Sequence, residues 1–292
     1  MTKSITANRP FGANRPVLGQ RCATTGGHRE ILSRVRPTLK VPPKTRLAAR
    51  KRLLVGVDLS QVPTIACVNQ ATVPLGVEFE RLVAALHKFN AECYAPVWGT
   101  HANIVVAKKL IPGAWGMVFI DNPDIAGAMG YHDLTPDGHP LAKVFVKTIL
   151  GQNEKVSVTA CHELCEMLVD PWTNLCAAGP DSEMIYAYET ADPVEEQEFL
   201  VDKIAMSNFV YPAWFEGYHK PRSTQFDYLG SVIRPFQILK GGYMPVLVKG
   251  KWTQIYGSPH KAKRFAKEDR RGRRVAARRA QASGKPAKPS HL

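Results

Sequence analysis

The 292-residue chain contains no run of about 18 apolar residues, which excludes a membrane-spanning helix. Between Met1 and Arg21 there is no apolar core of a signal peptide, so a secretory leader is not expected. Cysteine is sparse and irregularly spaced. The six, Cys22, Cys67, Cys93, Cys161, Cys165 and Cys176, lack both zinc-knuckle spacing and the density of a small disulfide scaffold. They read as reduced thiols of a cytoplasmic-type protein. Acidic residues are nearly absent from the two ends. Residues 1–52 hold 13 Lys and Arg against the single acid Glu30, and residues 261–292 hold 12 against Glu268 and Asp269. The ends therefore carry +12 and +10 of a total of +14, which leaves −8 on the residues between. Aromatics are also missing from the N-terminal arm, where Phe11 stands alone, so stacking on bases is not expected there.

What is present divides into three parts. Residues 1–51 form a basic arm with Asn8-Arg9-Pro10 echoed at Asn14-Arg15-Pro16, extended or disordered until a partner holds it. Residues 52–260 form the acidic body, and residues 261–292 a basic tail. In that tail Lys263, Arg264, Lys267, Arg270, Arg271, Arg273, Arg274, Arg278 and Arg279 crowd a helix-capable stretch. Such density suits a polyphosphate backbone or an acidic protein surface, with no base-specific reading.

Within the body, apolar patterning predicts strands at 52–60, 64–68, 103–107, 115–120 and 141–146, and an amphipathic helix at 77–89. A helix follows at 153–169 and stops at Asp170-Pro171, since proline cannot continue it. Beyond Pro171 the chain reads as irregular, with short strands near 236–239, 244–248 and 252–256. This order predicts an α+β fold, a small mixed sheet backed by helices.

The helix at 153–169 carries the chemistry. With His162 at 0° on the wheel, Glu166 falls at about 40°, Asp170 at about 80° and Glu163 at about 100°. Cys161 and Cys165 project to the core side and read as packing thiols. After Lys155 the helix has no cation, so a mostly apolar helix carries a His and three acids in one arc. Buried carboxylates need a counter-charge, either an Arg or Lys from elsewhere or a metal ion. His at i and Glu at i+4 can reach one ion, as in the H-E-x-x-H zinc helix with Glu in the last place. With 9 His and 14 Glu, composition alone gives about 0.02 occurrences of H-E-x-x-E, so the spacing is informative. A catalytic zinc ion needs a third protein ligand. The best downstream stretch is 186–195, where Glu189 and Asp192 stand three apart among Tyr and Ala, while Glu195, Glu196 and Glu198 read as surface acids. His132-Asp133, on what reads as a loop, is a candidate substrate-edge or proton-shuttle pair at a cleft rim. His219 is an outlying candidate for stabilising an oxyanion, and Phe209, Tyr211, Trp214 and Phe215 read as core or cleft wall.

In order along the chain, YAPVWG (94–99), GYHDLTPDGHPLAKVFV (130–146), ACHELCEMLVDP (160–171), YETADPV (188–194) and NFVYPAWF (208–215) resemble a zincin-like metallopeptidase-fold group of tailed phages and bacteria. That group has an H-E-x-x-E-x-x-x-D-P helix and a downstream E-x-x-D-P. The resemblance spans roughly 52–257 and leaves out both tails. It implies a zincin-like fold, Zn2+ held by His162 and Glu166 with Glu189 or Asp192 as third ligand, and Glu163 as general base. Two functions are compatible with it. One is a zinc-dependent metallopeptidase-like hydrolase, tethered by its tails to nucleic acid or an acidic partner. The other is a non-catalytic structural protein of a phage virion that binds nucleic acid or neighbouring subunits. Either places the protein in a virion or the host cytoplasm, with no membrane partner.

Overall fold

The protein is described by a computed structural model over residues 62–124, 128–181 and 183–259. The expected strand at 52–60, the arm 1–51 and the tail cations from Lys263 to Arg279 lie outside the described residues.

The architecture is α+β. Strand β1 (Thr64–Asn69) is a TIACVN run buried along its middle, an interior strand of the first sheet. Helix α1 (Phe79–Phe89) buries Leu82, Val83, Ala85, Leu86 and Phe89 on one face, the periodicity its sequence shows. It does not end at Phe89. A π-helical turn (Asn90–Tyr94) and helix α2 (Ala95–Trp98) prolong it until Gly99 turns left-handed at φ 72°. This extension carries Tyr94 into the core, where it is fully buried.

Strands β2 (Asn103–Val106), β3 (Trp115–Ile120), β4 (Gly130–Leu134) and β5 (Pro140–Phe145) complete a five-stranded sheet in the order β2-β1-β3-β5-β4. Its pairs are parallel except for β4, which runs antiparallel along β5 at one edge. The β4 strand corrects the expectation of a loop at His132-Asp133. Asp137-Gly138 closes a hairpin, with Gly138 at φ 87° and Thr135 N–H donating to the His139 carbonyl at 2.8 Å. Short helix α3 (Val146–Gly151), also unexpected, leads into helix α4 (Val156–Val169). The expected start at 153 fails because Asn153 has φ 59°, outside the right-handed helical region. Helix α4 packs on β4, β5 and the segment Ile204–Ser207, and ten of its fourteen residues are buried.

Downstream, the chain is more ordered than its sequence suggests. Strands β6 (Cys176–Ala178), β7 (Met184–Ala187), β10 (Tyr243–Val248) and β11 (Lys251–Tyr256) form an antiparallel sheet in the order β11-β10-β7-β6. Strands β8 (Glu198–Val201) and β9 (Ile204–Ser207) form a separate hairpin. The strand expected at 236–239 is absent. Phe236 has φ 53°, and the backbone N–H groups of Phe236 and Leu239 bond to the carbonyls of Trp214 and Pro193, two different segments.

Two apolar clusters result. The larger joins α1, α4 and the first sheet; the smaller gathers Tyr186, Trp214, Phe215, Phe226, Met244 and Val246 beside the second. The Phe209-to-Phe215 aromatics belong to these cores, with Phe209 and Trp214 fully buried and Phe215 nearly so.

Candidate metal centre

Three elements converge on six ionisable side chains. Helix α4 supplies His162, Glu163 and Glu166, strand β4 supplies His132, and the segment after β7 supplies Glu189 and Asp192. Five of the six are 5% exposed or less, and His162 is the most exposed, at 12% of its side chain. Alternation along β4 sends His132 inward while Tyr131 and Asp133 stay half-buried.

Five of the six fall into two triads that share Glu166, and Glu189 stands beside the second. In the first, His162 Nε2 lies 3.2 Å from Glu166 Oε1 and 3.1 Å from Asp192 Oδ1. In the second, His132 Nδ1 lies 3.5 Å from Glu166 Oε2 and 3.9 Å from Glu163 Oε2. On its other side His132 Nε2 lies 3.8 Å from Glu189 Oε2. Glu189 and Asp192, three apart in sequence, thus face different histidines.

The downstream segment is held from several directions. Tyr94 donates its hydroxyl proton to the Cys165 carbonyl at 2.6 Å, and its oxygen lies 2.8 Å from Thr190 Oγ1. One phenol therefore joins α4 to the turn that carries Glu189 and Asp192. The Thr190 carbonyl accepts from Val210 N–H at 2.8 Å. Tyr188 stacks on Phe215 with ring centroids 4.1 Å apart, and Trp98 meets both edge-on. Asp192 then opens a 3-10 turn (Asp192–Val194) whose Pro193 carbonyl accepts from Leu239 N–H at 2.9 Å.

The donor set fits a cation. Glu166 Oε1, Asp192 Oδ1 and Glu163 Oε2 are buried and make no hydrogen bond. Such orphaned carboxylate oxygens are costly unless something positive sits among them. Among the described residues, the ion pairs of Glu163, Glu166 and Asp192 are with histidine alone. Ligands about 2.0–2.1 Å from a tetrahedral zinc stand about 3.3 Å from one another. The first triad's spacings of 3.1 and 3.2 Å are close to that edge length. The buried His132/Glu163/Glu166 and His162/Glu166/Asp192 groups could each hold a metal ion.

Without a cation the cluster distorts proton affinities. Burial disfavours the imidazolium of His132, but Glu189, Glu163 and Glu166 outweigh it and push the pKa up to about 10. Burial likewise opposes protonation of His162, and Glu166 and Asp192 override it, so its pKa rises well above the usual value. Asp192 is driven upward by burial and then by the neighbouring Glu166 charge. The neighbouring carboxylates thus raise both histidines against burial, while burial and Glu166 together raise Asp192.

Several residues stand elsewhere than expected. His132 is no rim residue; it is 1% exposed and part of the cluster. Asp133 does not accompany it, and its Oδ1 accepts from the Leu134 N–H at 2.8 Å. Asp170 leaves the helical arc, because its carboxylate accepts from the backbone N–H groups of Asn174 at 2.8 Å and Leu175 at 3.1 Å and so caps the turn after α4. His219 pairs with Glu216 at 2.7 Å and belongs to neither triad. Cys161 and Cys165 are fully buried thiols, and Glu196 and Glu198 are exposed. Comparison with family models, curated proteins and solved structures returned no match.

Proposed function

We propose that the chain is a zincin-like, zinc-dependent hydrolase acting on peptide bonds. The observation that carries this reading is the convergence of His162 Nε2, Glu166 Oε1 and Asp192 Oδ1 at 3.1–3.2 Å, with both carboxylate oxygens buried and without hydrogen bonds. His162, Glu166 and Asp192 would hold the ion. A zinc ion in that position supplies Lewis-acid polarisation of a scissile carbonyl. Two carboxylates neutralise a divalent ion more fully than a two-His, one-Glu set does, so slow turnover is expected. Glu163, one residue beyond His162 on the same helix, takes the proton of the attacking water. The mixed sheet, with α4 packed against its antiparallel edge strand, supports the zincin-like resemblance.

A peptide-library digest comparing wild type with Glu163→Gln tests the reaction. The variant should keep its first metal ion and lose turnover by about 10²–10⁴-fold, as expected on removing a general base. Undiminished cleavage by Glu163→Gln would contradict the hydrolase reading.

One observation favours a second reading, a metal-stabilised structural protein of a phage virion. The site is nearly closed, with His162 the most exposed of the six at 12%, and structural zinc sites are closed where catalytic ones keep an open position. Absence of cleavage by a fully loaded wild type would select this reading.

In either case the basic ends tether the protein to nucleic acid or an acidic subunit, in a virion or the host cytoplasm. Their +12 and +10 against a body of −8 support this. Polyanion affinity of the full chain should fall steeply between low and physiological salt, with little sequence preference. Replacing Arg270, Arg271, Arg273 and Arg274 by Gln should weaken binding and flatten the salt slope; equal binding by this variant would refute the tether.

A further inference from the structure

The geometry points to a second divalent-cation position, formed by His132 Nδ1, Glu163 Oε2 and Glu166 Oε2, beside the one assigned to His162, Glu166 and Asp192. It rests on the proposed metal reading and extends it to a carboxylate-bridged pair.

Glu166 carries the inference. Its two oxygens face different histidines, Oε1 at 3.2 Å from His162 and Oε2 at 3.5 Å from His132. One ion between His162 and Asp192 occupies only the Oε1 side. That leaves Glu163 Oε2, 5% exposed at the residue level and without a hydrogen bond, aimed at the His132 side. Among the described residues no Lys or Arg pairs with it. The carboxylates of Glu163, Glu166 and Asp192 alone carry three negative charges, and one divalent ion offsets two. A carboxylate presenting one oxygen to each of two ions suits centres about 3.5–4 Å apart, the spacing of two-metal sites.

The second triad is looser, with donors 3.5 and 3.9 Å apart in place of 3.1 and 3.2 Å. Its ion therefore binds more weakly and fills after the first. One imidazole and two carboxylates suit Zn2+ or Mn2+. Glu163 is then a ligand in the doubly loaded protein and available as a base only in the singly loaded one.

Gly130 is shaped to this arrangement. A Cβ there would lie 2.6 Å from Glu163 Oε1 and 3.0 Å from Glu163 Cγ. The bare backbone at the start of β4 lets the Glu163 carboxylate come close to the strand that carries His132.

The test is metal titration of the full-length protein, stripped with chelator and then loaded with Zn2+ alone. Elemental analysis and calorimetry should give two ions per chain, bound in two steps at least about tenfold apart in affinity. His132→Ala and Glu163→Gln should each abolish the weaker step and keep the stronger. Circular dichroism identifies any variant that fails to fold, in which case the other decides. Mn2+ loading adds a spectroscopic reading, since two bridged ions couple and the isolated six-line resonance is lost. A single ion in wild type, with the same content in both variants, would overturn the second position and leave the first intact. No bound ion in wild type would overturn both.

Discussion

Gly130 shows how much one missing side chain decides. The left-handed region is not involved; the position needs glycine because β4 crosses α4 where the Glu163 carboxylate lies. In Gly130→Ala either Glu163 swings away or β4 lifts from the helix, at a cost of about 1–3 kcal/mol for an overpacked contact. That displacement acts on Glu163 and on the His132 side of the cluster, while His162 Nε2 keeps its pairs with Glu166 Oε1 and Asp192 Oδ1. The variant should therefore keep the tighter ion while its denaturation midpoint falls, and retention of wild-type stability would show that the contact relaxes freely. At this scale the sequence is partly legible. His162, Glu163 and Glu166 share a helix, and the fixed 3.6-residue period alone puts them in one arc. His132 is not legible in that way, because its part in the cluster depends on which strand face points inward. A signal is present all the same, since Asp137-Gly138 between apolar runs is a hairpin mark that puts 130–134 into a strand.

Among elements, the unexpected continuation of α1 has the largest consequence. A helix stopping at Phe89 could not bring Tyr94 to Cys165 and Thr190; the π turn and α2 do so. Burial pushes the Tyr94 phenol well above its usual pKa, so it stays protonated and can donate. Tyr94→Phe removes the hydroxyl between two buried groups, and losing such a hydrogen-bonded partner costs about 1–3 kcal/mol. Because Thr190 lies between Glu189 and Asp192, the same variant should lower metal affinity by about 10–100-fold, the usual effect of releasing a ligand's support. Chemical denaturation and a chelator competition measure the two effects. A stability loss with unchanged metal affinity would make Tyr94 a core residue only. Beyond Pro171, β10 and β11 stand where strands near 244–248 and 252–256 are expected, but β6 to β9 are hidden in the sequence for a different reason. Strands of three or four residues show too little alternation to register, and their turns lack the usual residues. Asp202-Lys203, between β8 and β9, takes φ 49° and 68°, a hairpin conformation that Asn-Gly or Asp-Gly more often announces.

For the molecule as a whole, charge and architecture divide the labour. Composition alone separates an acidic body from two basic ends, and the described part of that body concentrates six ionisable groups at the junction of α4, β4 and the Glu189–Asp192 turn. The surrounding fold is ordinary in its demands: apolar strands, a buried helix, aromatic clamps. The site is the exception, with buried carboxylates of which Glu163 Oε2, Glu166 Oε1 and Asp192 Oδ1 make no hydrogen bond. A chain keeps such a cluster at a steep cost unless a cation neutralises it. Metal content of the full-length protein, purified without chelator, beside His162→Ala purified identically, decides whether that cation is present. Wild type should carry at least one divalent ion per chain, and His162→Ala should lose the tighter-bound one. Wild type without stoichiometric metal, or a variant that holds as much with the same affinity, would contradict a metal centre at His162, Glu166 and Asp192.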